Sequence, residues 1–91
     1  MQAIAQELRN FVVNNFLFGQ NEKLRNDDSF FDNGIIDSTG ILELVGFLHE
    51  RFGVHVEDQE LIPENLDSID RLVAYLQAKL RENGQASASV H

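Results

Sequence analysis

Three apolar stripes at helical spacing leave this chain few ways to fold. Ile4, Leu8, Phe11, Val12 and Phe16 fall at i, i+4, i+7, i+8 and i+12, and Ile41, Leu44, Val45, Leu48 and Phe52 at i, i+3, i+4, i+7 and i+11. Ile69, Leu72, Val73, Leu76 and Leu80 repeat the second pattern. At 3.6 residues per turn each set lies on one helix face, so the chain encodes three amphipathic helices that must bury their stripes against one another. The one strand-like alternation, Val54-His55-Val56, is three residues long and has nothing to pair with, so it reads as an extended connector. Ninety-one residues make one small domain, with a modest core and no room for a deep catalytic cleft.

Punctuation sets the boundaries. The first helix spans residues 3–18 and stops at Gly19, which can take the left-handed conformation that closes helices. Residues 20–36 are polar and hold no sustained period, which predicts a long loop pinned by Phe30, Phe31, Ile35 and Ile36; loops of this length in small domains tend to be functional. The second helix runs from Ser38 to Phe52 and ends at Gly53. Glu57 to Ile62 reads as a short helical turn anchored by Leu61 and Ile62 and stopped by Pro63. Asp67 or Ser68 caps the last helix, with Lys79 and Arg81 suited to the dipole at its end. The expected fold is all-α: a small four-helix bundle of three main helices and one short one, with a long first loop. It occupies residues 1–82, and residues 83–91 form a disordered tail.

Charge narrows the partners. The formal net charge is −8, but residues 27–70 hold twelve acids against one base, Arg51. A surface of that sign disfavours nucleic acid, which needs clustered Lys and Arg, and favours a basic protein surface through salt-sensitive steering. There is no cysteine, hence no disulfide framework and no thiolate metal site. The N-terminus lacks a signal-peptide pattern and no apolar run approaches the ~20 residues that cross a bilayer. A cytoplasmic, monomeric protein with no membrane partner is therefore expected.

The stretch Gly34-Ile35-Ile36-Asp37-Ser38-Thr39 leads into the second helix. Asp37 can cap that helix by accepting a backbone N–H one turn in, which leaves Ser38 exposed at the tip. There the unpaired N–H groups and the positive end of the dipole favour a negatively charged group on the serine oxygen. Gly-x-x-Asp-Ser, followed by an apolar and acidic helix ending Glu50-Arg51-Phe52-Gly53-Val54, resembles the acyl carrier and peptidyl carrier proteins, over roughly residues 4–80.

The resemblance implies that Ser38 carries 4′-phosphopantetheine derived from coenzyme A, with Asp37 as the cap beside it. It implies a carrier, not an enzyme, that holds a thioester-bound acyl, aminoacyl or related unit for fatty-acid, polyketide or nonribosomal-peptide-type biosynthesis. The implied partners are a phosphopantetheinyl transferase and AMP-forming ligases or synthases, docking on Thr39, Glu43, Gly46 and Glu50. Thr39 stands where the family usually has Leu, Gly40 where it often has an acid, and Gly46 where it has an outward apolar contact. Phe47 takes a position that is often small in fatty-acid carriers, where it either fills the core or blocks space for a long chain.

Other chemistries fit the residues less well. Asp37-Ser38-Thr39-Gly40 is not a Gly-x-Ser-x-Gly elbow, and His49, His55 and His91 suggest no triad. An EF-hand reading fails because Phe31 and Ser29 fall where ligands should precede Gly34. His49 and His55 are expected to line a partly buried edge and not to bind metal. The alternative from another class is an unmodified acidic helical adaptor that binds a basic protein.

Overall fold

In a computed structural model residues 2–90 are described, with side chains for residues 3–81. Helix α1 spans Gln2–Phe16, a 3-10 turn follows at Asn21–Lys23, and α2 spans Gly40–Phe52. A second 3-10 turn at Asp58–Glu60 leads to the one-turn α3, Pro63–Leu66, and then to α4, Ile69–Val90. This is the expected bundle of three main helices and one short one. The tail expected over residues 83–91 lies outside the residues described with side chains.

The three stripes meet in one core. Leu8 and Val12 of α1, Leu44 and Leu48 of α2, and Ile69, Leu72 and Leu76 of α4 are fully buried, while Ile4, Phe11, Phe16, Ile41, Val45, Phe52, Val73 and Leu80 pack around its edge. Val13 and Tyr75 join the buried set from beside the expected stripes. Fully burying a large aliphatic or aromatic side chain contributes ~1.5–3 kcal/mol, so this seam dominates the stability of the fold.

Helix α1 ends with its apolar stripe at Phe16, two residues before the end expected from Gly19. The Leu17 and Gly19 N–H groups both donate to the Val13 carbonyl, at 3.1 and 2.9 Å. Phe18 (φ 53°) as well as Gly19 (φ 80°) is left-handed, so the reversal begins one residue before the glycine. Helix α2 closes as expected: Gly53 (φ 69°) lets its N–H turn back onto the His49 carbonyl at 2.9 Å.

The long loop is ordered in part by the apolar residues expected to pin it and in part by Leu24 and by polar contacts that the sequence pattern did not announce. Phe30, Ile36 and Leu24 are buried in the core. Phe31 is 40 % exposed, so Phe30 pins the loop and Phe31 does so only in part. Asp67, between α3 and α4, accepts the Ser29 hydroxyl at 2.5 Å and the Phe31 N–H at 3.0 Å, and its carbonyl accepts the Phe30 N–H at 2.8 Å. Arg9 of α1 donates to Asn21 Oδ1 at 2.9 Å and to Asn26 Oδ1 at 2.6 Å.

Asp67 is thus committed to the loop, and Ser68 caps α4: its Oγ accepts the Arg71 N–H at 3.1 Å and its carbonyl the Leu72 N–H at 2.9 Å.

Two expectations around Pro63 are corrected. The proline opens α3 instead of stopping a turn, because a first helical position needs no N–H and favours the fixed φ of proline. Leu61 and Ile62, expected as anchors, are 38 % and 41 % exposed; Leu66 and Val56 are buried in their place. Lys79 is not at a helix terminus either. Its ammonium pairs across to Glu60 at 3.2 Å.

Candidate functional site

The first turn of α2 is organised by Asp37. Its carboxylate Oδ1 accepts the Gly40 N–H at 2.7 Å and its carbonyl accepts the Ile41 N–H at 3.0 Å. This is the N-cap arrangement, and it makes Ser38 the first residue with helical bonding geometry behind it. Helix α2 begins at Gly40, two residues after the expected start.

Ser38 and Thr39 are exposed, and their N–H groups donate to no acceptor among the described residues. An oxygen substituent on Ser38 therefore projects into solvent beside two unpaired donors and the positive end of α2. That is a favourable setting for a phosphodiester.

Behind this turn the backbone is held tightly. A Cβ built on Gly40 would lie 2.8 Å from Phe16 Cε1, 3.1 Å from Ile36 Cγ2 and 3.3 Å from Asp37 Oδ1. The end of α1 and the end of the loop thus close on the start of α2, and any side chain there forces one of them to shift.

An apolar groove of about 280 Å³ opens beside Ser38, lined by Phe31, Ile41, Leu61, Ile62, Pro63 and Leu66 as well as the serine. It is roughly twice the ~150 Å³ apolar cavity that holds a benzene ring. Among the described residues no charged side chain lines it. The pairs Phe30-Phe31 and Leu61-Ile62 carry a signal of this groove in the sequence, since each is a short apolar run that no helical stripe absorbs.

Thr39, Glu43, Gly46 and Glu50 are all exposed. Their spacing of four, three and four places them on one face of α2. A Cβ on Gly46 would meet nothing within 4 Å, so this face presents bare backbone midway along. Arg51, the lone base of the acidic segment, is drawn off this face into an ion pair with Glu7.

Phe47 lies away from the groove. It stacks on Phe11, with centroids 4.1 Å apart at 15°, and meets Phe52 edge-on at 5.9 Å. Its ring fills the seam between α1 and α2. His49 and His55, expected at a partly buried edge, are both exposed, with ring centroids 6.3 Å apart. Among the described residues no three His, Cys, Asp or Glu side chains converge as a metal site would require.

Residues 17–76 match the family described as the phosphopantetheine attachment site. The chain belongs to this family. It is 31 % identical over 74 residues to the probable acyl carrier protein PigG of Serratia sp. (strain ATCC 39006), covering 81 % of this chain and 85 % of that protein. It is 28 % identical over 79 residues to an acyl carrier protein of Buchnera aphidicola, covering 87 % of this chain and 95 % of the relative. The protein is accordingly a carrier and not a catalyst, and its cofactor is covalently attached 4′-phosphopantetheine. Among the described residues no helix is long and apolar enough to cross a membrane.

Proposed function

We propose that Ser38 is the attachment point of the 4′-phosphopantetheine arm. The observation that carries this reading is the exposed Ser38 at a helix tip capped by Asp37, beside two unpaired N–H groups and at the mouth of an apolar groove. In the modification the Ser38 oxygen displaces 3′,5′-ADP from coenzyme A and loses its proton, so a phosphodiester forms as the pyrophosphate bond breaks. The bound arm supplies a terminal thiol, which this cysteine-free chain otherwise lacks, for holding cargo as a thioester. The chain's own residues cap the helix, orient the serine and shelter cargo in the groove. Tethering raises the local concentration of substrate for each successive enzyme.

The cargo that suits the groove is a short apolar acyl or aryl unit, loaded and used by enzymes of fatty-acid, polyketide or nonribosomal-peptide-type biosynthesis. A transferase and AMP-forming ligases or synthases would meet the stripe of Thr39, Glu43, Gly46 and Glu50 with a basic surface, in docking that weakens with salt.

The test is intact mass after incubation with coenzyme A and a broad-specificity phosphopantetheinyl transferase, with Ser38→Ala alongside. One added phosphopantetheine in the wild type alone is the expected result. An added arm in the variant would refute Ser38 as the site. No gain in folded, previously unmodified wild type would favour the adaptor.

A further inference from the structure

Glu60 lies outside both the serine tip and the acidic stripe, yet three groups converge on its carboxylate, one from its own turn and two from α4. Oε1 accepts the Glu57 N–H at 3.0 Å and the Tyr75 hydroxyl at 2.9 Å, and the Lys79 ammonium sits 3.2 and 3.3 Å from the two oxygens. The Glu57–Glu60 contact is half of a reciprocal capping box around the second 3-10 turn. Lys79 and Glu60 are 18 % and 26 % exposed. Among the described residues this is the one ion pair with both partners less than a third exposed, so water screens it less than an ordinary surface pair.

The two residues that follow are Leu61 and Ile62, both in the groove wall beside Ser38. Neither is held by burial. The nearest buried side chains on either side are Val56 and Leu66. Between them the wall is held locally by the Leu61 N–H on the Asp58 carbonyl and the Asn65 and Leu66 N–H groups on the Ile62 carbonyl. Glu60, whose own carbonyl accepts Asn65 Nδ2 at 3.0 Å, supplies its side-chain ties to α4. We propose that Glu60 is a positioning residue for cargo. By tying the second 3-10 turn to Tyr75 and Lys79 of α4, it holds Leu61 and Ile62 over the groove and so sets how well an apolar acyl group is shielded from water. This inference rests on the carrier reading of Ser38. Glu60 does not line the groove, so it acts through Leu61 and Ile62 and not by touching cargo.

The experiment loads wild type, Glu60→Gln and Lys79→Met from octanoyl- or acetyl-coenzyme A with a broad-specificity transferase. Loading is checked by intact mass and folding by circular dichroism, and thioester cleavage by hydroxylamine is then timed. In the wild type the octanoyl thioester is cleaved more slowly than the acetyl one, which is too short to reach shelter.

In both variants octanoyl cleavage accelerates about two- to fivefold, equivalent to ~0.4–1 kcal/mol at 1.4 kcal/mol per tenfold, while acetyl cleavage stays at its wild-type rate. An unchanged octanoyl-to-acetyl ratio in both variants overturns the role of Glu60 alone. Equal cleavage of the two thioesters in the wild type overturns the sheltering groove as well, and failure of the wild type to load overturns the Ser38 reading beneath both. Lys79→Met removes the ion pair from the α4 side, so it decides the matter if Glu60→Gln does not fold.

Discussion

Gly40 and Gly46 lie six residues apart in α2 and cost the helix the same in intrinsic propensity, roughly 0.8–1 kcal/mol each relative to alanine. Their surroundings separate them. Around Gly46 a new Cβ meets nothing within 4 Å, so Gly46→Ala should return the whole propensity gain of about 0.8–1 kcal/mol. At Gly40 the same methyl lies 2.8 Å from Phe16 Cε1 and 3.1 Å from Ile36 Cγ2.

Ile36 is 1 % exposed, and the Phe16 ring is braced edge-on against Phe11 at 6.0 Å. Neither can step aside without disturbing the seam. Overpacking of this kind costs ~1–3 kcal/mol, which cancels or exceeds the propensity gain and leaves Gly40→Ala between neutral and ~2 kcal/mol destabilised. The two variants should therefore differ by ~1–3 kcal/mol, or at least several degrees in Tm at 4–8 °C per kcal/mol for a domain of about this size. Thermal and urea unfolding followed by circular dichroism measure this directly. A Gly40→Ala protein as stable as Gly46→Ala would refute the close approach of α1 to the serine turn.

Two further outcomes follow from named contacts. Asp67→Ala leaves the Ser29 hydroxyl and the Phe31 N–H without their acceptor; charge-assisted bonds of this kind contribute ~1.5–3 kcal/mol. Urea unfolding should show a loss of that order, with faster hydrogen exchange at the Phe31 amide, and a loss below ~0.5 kcal/mol would show that the loop is held elsewhere.

The Glu60 carboxyl sits below the ordinary value of 4.5, first because of the Glu57 N–H and then because of Tyr75 and Lys79, with burial opposing them. A depressed folded pKa means that its stabilisation is complete above the unfolded value and is lost as pH falls through the folded one. The stability gap between wild type and Glu60→Gln should thus hold steady from neutral pH down to about 5 and shrink below that. A gap that stays constant to pH 3 would contradict the ion pair.

Much of the site was legible because its cause is local. A cap depends on one side chain and the N–H three residues on, so Asp37 and the exposed Ser38 follow from their order in the chain, as do the outward Glu43 and Glu50 from helical spacing. The loop was harder to read. Phe30 and Phe31 are identical in sequence terms, yet one is in the core and the other lines the groove, and nothing within the loop distinguishes them. Asp67 was a reasonable cap candidate by position, and it became a loop tie only because Ser29 and Phe31, more than thirty residues away, reach it first.

What the sequence determined by itself is what short range suffices to decide: three helices from periodic burial, the stop of α2 from glycine chemistry, and a capped serine at a helix tip. Only tertiary structure decided which acids are bonded and which face solvent, where Phe47 packs, and that the non-periodic residues Phe31, Leu61, Ile62 and Pro63 assemble one apolar groove beside Ser38. The physical reason is range. Periodicity and capping act within about one helical turn, whereas a groove wall and an ion pair between Glu60 and Lys79 exist only after distant segments have packed.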